Sequence, residues 1–129
     1  PLLDRIDLYV EVPALDFDQL SRRSDAEPSA VIKARVNAAR AIQTARFGPE
    51  GPDCNAHMGQ TELAQFCRLD EAGTTLIKGA FDRMGLTARS YDRILRVART
   101  IADLDGAENI GVDHLAEAIQ YRESSSLRR

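Results

Sequence analysis

The sequence predicts a mainly α chain: a bundle of three to five short helices, led by one long helix and preceded by a single β-strand. Two observations carry this. Apolar residues recur at helical spacing in the segments between 29 and 122, whereas strict alternation of apolar and polar residues occurs only at 6–12. Aromatic residues make up 5% of the chain and Trp is absent, so the core must be built from Leu, Ile, Val and Ala, which suits packed helices.

The elements follow in order. Ile6, Leu8, Val10 and Val12 point one way and Asp7, Tyr9 and Glu11 the other, which is a strand with one apolar face, stopped by Pro13. One strand makes no sheet, and its backbone donors and acceptors need partners. The expectation is that its sheet lies in sequence on the N-terminal side, and that by itself the segment pairs with another copy, lies over the helices or stays disordered. Residues 14–27 are polar and mixed and read as a connector with a short helical turn at Phe17–Leu20. Residues 29–47 form a long helix behind Pro28, with Val31, Ala34, Ala38 and Ile42 in one stripe and Ile32, Val36 and Ala39 beside it.

Residues 48–59 hold three Gly and two Pro, which forbid a continuous helix and make a loop. Four helical segments follow, at 60–68, 71–84, 88–104 and 112–122. Thr61 and Asp70 are expected to cap the first two, Gly85 to end the second in a left-handed conformation, and Thr87 to cap the third. The tail 123–129 should fray.

The net charge of −3 argues against a bulk electrostatic grip on nucleic acid or an anionic membrane. No apolar run approaches ~18 residues, so no membrane span is expected, and the compartment expected is the cytoplasm. Cys54 and Cys67 are too few for a disulfide framework. Cys54-x-x-His57 has metal-ligand spacing, but a structural site normally needs four ligands, so no metal is expected and Cys54 reads as a small buried residue at the loop's exit.

The segment 88–104 carries the most chemistry. With Ile94 at zero, Val97, Ile101, Ala98, Tyr91, Ala102 and Leu95 fall within about 160° of arc, while Arg96, Arg89 and Arg93 gather at about 200°, 220° and 260°. One reading is a solvated polar face relieved by Asp92 and Asp103. The other is an anion site, with Arg89 best placed because the free backbone donors of the first turn can face the same ligand. Arg5, just ahead of the strand, is either a solvated or salt-bridged charge, paired with Asp4 or Asp7, or an arginine finger offered to a neighbouring subunit's nucleotide. On the long helix, Lys33 and Arg40 form one basic stripe and Arg35 and Arg46 another, either solvated or in contact with nucleic acid or a neighbouring subunit.

Several stretches resemble one known family. Leu2-Leu3-Asp4-Arg5-Ile6-Asp7-Leu8 is similar to the segment that ends the AAA+ core in magnesium chelatase-like proteins. Cys54-Asn55-Ala56-His57-Met58-Gly59 is similar to a loop motif of the ComM/YifB group of that family. Ala88–Leu104 resembles the group's lid helix, and His114–Arg122 its closing helix.

The resemblance implies an AAA+ C-terminal helical lid bundle. Residues 1–27 would be the end of the AAA+ core and a connector, 28–59 a long helix from the end of that core with its Gly/Pro loop, and 60–122 the lid. Arg5 matches the arginine finger, which acts in trans, and Arg89 the sensor-2 arginine that reaches the γ-phosphate, with Arg93 beside it. The implied parent is a hexameric ring ATPase that uses ATP and Mg²⁺, with the missing AAA+ core and neighbouring subunits as partners. The ComM group is linked to DNA processing by branch migration. This chain has neither Gly-x-x-x-x-Gly-Lys-Ser/Thr nor an apolar strand ending in paired acids, so by itself it is expected neither to bind ATP tightly nor to hydrolyse it. The rival expectation is a free-standing helical DNA-binding or adaptor domain, since Gly85-Leu86-Thr87 between two helices has the outline of a helix-turn-helix.

Overall fold

The computed structural model describes residues 5–14, 16–21 and 26–123. The segment Leu2–Asp4, part of the family resemblance, and the tail 124–129, expected to fray, lie outside the described residues. Those described form helices α1 (Phe17–Ser21), α2 (Ser29–Phe47), α3 (Gln60–Phe66), α4 (Glu71–Met84), α5 (Ala88–Leu104) and α6 (Val112–Gln120), with a 3₁₀ turn at Asn55–His57. The expected mainly α bundle is what the chain builds.

Helix α5 is the axis of the bundle, with α2, α3, α6 and the 3₁₀ turn all packed against it, and α4 packs on α6. Its amphipathic pattern explains the position. Ile94, Ala98 and Ala102 are wholly buried and Leu95 nearly so, and they meet Leu115 and Ala118 of α6, Ile77 and Ala80 of α4, Leu63 of α3 and Met58 of the loop in one core. The small residues Ala98, Ala102 and Ala118 let the helices approach closely, while the longer side chains fill the spaces between them.

The ends of the helices follow their capping residues. Asp70 accepts from the Gly73 amide at 2.7 Å and Thr87 from the Ser90 amide at 3.1 Å. Gly85 closes α4 with φ +63°, a conformation that a side chain would strain. Thr61 does not cap α3. The helix starts two residues earlier than a Thr61 cap would place it, after Gly59, whose amide donates to the Glu62 carboxylate at 2.9 Å.

The strand expected at 6–12 does not form. Its backbone is extended, and the Tyr9 amide donates to the Tyr121 carbonyl at 2.8 Å, but no strand lies beside it among the described residues to complete a ladder. The segment lies over the helices, one of the outcomes expected for it without its sheet, held by its polar side. Asp7 pairs with Arg93, Arg122 donates to the Ile6 carbonyl, and the Arg122 guanidinium sits 5.1 Å from the Tyr9 ring centre. Leu8, Val10 and Val12, the expected buried face, are exposed.

Candidate functional site

The four arginines of α5 are graded along the helix, from solvent to core. Arg89, in the first turn, is exposed and makes no hydrogen bond or ion pair among the described residues. Arg93, a turn later, pairs with Asp7 across to the N-terminal segment. Arg96 donates twice to the Met58 carbonyl, at 2.9 and 3.2 Å. Arg99 is 3% exposed and donates to the Ala107 and Glu108 carbonyls at 2.8 and 2.9 Å and to Asp103 at 3.0 Å. The polar face at 200–260° is therefore not uniformly solvated: Arg93 and Arg96 each tie another segment to α5, and Arg89 has no such tie among the described residues.

Asp103, expected to be a solvated relief charge, is 2% exposed and is the hub of a buried polar cluster. Arg46 of α2 reaches it with both guanidinium nitrogens, at 2.5 and 2.9 Å, and Arg99 approaches from its own helix. The Asn55 side-chain amide donates to Asp103 at 2.8 Å and to the Thr100 hydroxyl at 3.1 Å, and its oxygen accepts from Arg46 at 3.1 Å. The Asn55 backbone amide donates to Gln43 of α2 at 2.9 Å. Burial pushes the Asp103 carboxyl up, but the hydrogen bonds from Arg46 and Asn55 and the two guanidinium charges more than offset it, so its pKa lies below the ordinary value.

The cluster explains the 54–59 loop. Its buried members are Asn55, which joins α2 to α5, and Met58, which enters the core and presents its carbonyl to Arg96. Cys54 is not the buried residue expected: it is half-buried, with its sulfur 3.9 Å from His57 Nδ1. Arg46 is a packing residue, set between Asp103 and the rings of Phe47 and Phe66, with its guanidinium 5.8 Å from each. Arg35 stays at the surface, paired with Glu27. Arg5 is exposed and without a partner among the described residues.

The position of α5 also bears on the helix-turn-helix outline. A recognition helix must present one face to a groove, but α5 buries Ser90, Ile94, Leu95, Ala98, Arg99, Ala102 and Asp103 and is covered on several sides.

The protein-family model described as "Magnesium chelatase, subunit ChlI C-terminal" matches residues 26–122. The chain belongs to the magnesium chelatase-like family. It is 41% identical to the competence protein ComM of Haemophilus influenzae over 95% of its own length and 23% of the relative's. It is 40% identical to the uncharacterized protein YifB of Escherichia coli, over 95% of this chain and 24% of that one. It is 35% identical to the uncharacterized protein Rv2897c of Mycobacterium tuberculosis, over 99% and 25% respectively. The chain thus spans about a quarter of the length of these relatives. The part of this magnesium chelatase-like chain that matches the family model holds α2 to α6 and the whole Asp103 cluster, while Arg5 and Asp7 fall before it.

The two thiols of this family member sit in opposite settings. Cys67 is 4% exposed, and burial pushes its pKa up to about 11, with the Arg99 and Arg46 charges limiting the rise. It is therefore neutral and shielded at ordinary pH. Titration of the native chain at neutral pH with an aromatic disulfide reagent is expected to release one equivalent promptly, from Cys54, and the second only after denaturant is added. Prompt reaction of both thiols would contradict this burial.

Proposed function

We propose that this chain is the nucleotide-sensing lid of a ring-forming AAA+ ATPase. ATP and Mg²⁺ are bound and hydrolysed by a larger parent polypeptide, and Arg89 reads the terminal phosphate. The observation that carries the reading is the state of Arg89. It is the exposed arginine in the first turn of the central helix, unpaired among the described residues, while Arg93, Arg96 and Arg99 are each engaged. A helix N-terminus supplies backbone donors and a positive dipole end, and an arginine there adds a bidentate phosphate contact. Arg93 adds positive charge one turn further on while tied to Asp7.

Because α5 is the core helix, a pull on Arg89 is carried by the whole bundle, which suits a lid that shifts as a rigid body between ATP and ADP states. Arg5, exposed ahead of the bundle, is assigned to a neighbouring subunit's nucleotide in the ring. We extend the reading to hydrolysis coupled to DNA processing, such as branch migration, which is what the resemblance to the ComM group implies; the competence protein ComM of Haemophilus influenzae is among the relatives.

In the full-length ring ATPase, Arg89→Ala is expected to lower ATP turnover by at least about tenfold, as loss of a charge-stabilising donor does. Its thermal unfolding should be unchanged, because the side chain is exposed. Turnover equal to that of the unmodified protein would refute the sensor assignment.

A further inference from the structure

Helix α2 is long, and its first half is exposed, with Arg35 reaching back to Glu27. It buries only Ala39 and Gln43, and every residue from 29 to 38 is exposed. Nineteen residues make a rod of about 28 Å, rooted at its C-terminal end by Arg46 and Gln43. The free half is not a solvated helix by composition. Val31, Ile32, Val36 and Ile42 are all exposed and lie within about 140° of arc, continuing the stripe that Ala39 and Gln43 bury, with Lys33 and Arg40 along its edge. The helix carries four basic residues and no acid. With a chain total of −3 and +4 on α2, the remaining residues carry −7.

The bundle has a matching surface elsewhere. A groove of about 360 Å³ runs between Leu8 and Val10 of the N-terminal segment and Val97, Ile101 and Leu104 of α5. Glu117 lines it, and Asp113 follows on the adjoining face beside Ile101 and Leu104. The groove is apolar along its floor; Arg96 in its lining is turned to the Met58 carbonyl and Asp7 is paired with Arg93, so Glu117 and Asp113 leave the α6 side acidic, the complement of an apolar helix face edged with Lys33 and Arg40. The chain's own α2 cannot fill it, since Arg46 and Gln43 fix the C-terminal half of that helix across α5 while residues 29–38 remain exposed.

We infer that the free half of α2 docks in this groove on a second copy of the chain. The contact joins two different surfaces, so each copy offers one helix and one groove, and repetition gives a ring if the rotation closes and a filament if it does not. The inference rests on the ring reading and deepens it by naming the surfaces that meet. The exposed apolar residues favour a protein partner over nucleic acid, whose backbone would engage only the charges.

The test is sedimentation velocity of the 129-residue chain over rising concentration, at low and high salt. Self-association weakened by salt is expected. The double variants Lys33→Glu/Arg40→Glu and Asp113→Lys/Glu117→Lys alter exposed residues only, and circular dichroism should report an unchanged fold. Each alone should associate about tenfold more weakly. An equimolar mixture of the two should recover association, because an intact helix then meets an intact groove and a reversed helix a reversed groove. A wild-type chain that stays monomeric at its solubility limit overturns the proposal, as do variants that associate like the wild type. So does a monomeric wild type whose affinity for a DNA duplex is lost in the α2 variant, which gives the helix to nucleic acid. The two readings fail separately. Normal turnover in Arg89→Ala with association intact removes the sensor but leaves the interface, and a monomeric chain with impaired Arg89→Ala turnover removes the interface alone.

Discussion

Replacement of Asp103 by alanine is expected to destabilise the fold by about 3–5 kcal/mol, the usual cost of removing one partner from a buried ion pair. The size follows from what is left behind. Arg99 is 3% exposed and keeps the Phe66, Ala107 and Glu108 carbonyls but no counter-charge, Arg46 loses both of its contacts to the carboxylate, and the Asn55 amide loses its shorter acceptor. Denaturant unfolding measures the loss, and a change under about 1 kcal/mol would mean that water or rearranged side chains replace the carboxylate.

The same residue sets a pH dependence. The folded-state pKa of Asp103 is lowered, so its contribution is present above the unfolded value near pH 4 and is lost as pH falls through the folded value. Acid should therefore weaken the wild-type chain over that window more than it weakens Asp103→Ala. Equal acid sensitivity would show that the stabilising charge lies elsewhere.

The second large effect is expected in turnover and not in stability. In the proposed full-length ring ATPase, Arg5→Ala should lower ATP hydrolysis by about 10³-fold, the lower range for loss of an arginine finger. Arg5 is exposed and unpaired among the described residues, so the variant should unfold like the unmodified protein. If the residue acts in trans, rings that mix Arg5→Ala subunits with subunits whose nucleotide pocket is disabled but whose Arg5 is intact should regain hydrolysis. A mixture as inactive as its components would remove Arg5 from the neighbouring site.

Much of the fold was legible because its signals are local. The apolar arc of α5, the caps at Asp70 and Thr87 and the left-handed stop at Gly85 each involve residues a few positions apart, and all appear where expected. The failures are of another kind. Alternation at 6–12 describes a chain ready for a sheet, but a strand exists only beside a second strand, and the polar side of the segment found Arg93 and Arg122 instead. Asp103 stands at about 180° on the α5 wheel, on the solvent side by local reasoning. It is buried because Arg46, 57 residues away, and Asn55, 48 away, close over it. The available signal was Arg99 at i, i+4 to Asp103, on the margin of the apolar arc, which a pairing argument could have placed inside. For the candidate site, the sequence placed Arg89 correctly in a first turn, whereas its freedom beside three engaged arginines depends on distant contacts that no periodicity contains.

The backbone enters and leaves the bundle at one place, since the Tyr9 amide meets the Tyr121 carbonyl and Arg122 holds Ile6. A chain joined in this way is nearly a closed circuit. Force arriving along the polypeptide would then act on the bundle through a single pivot, turning it as one piece and not stretching it between two anchors.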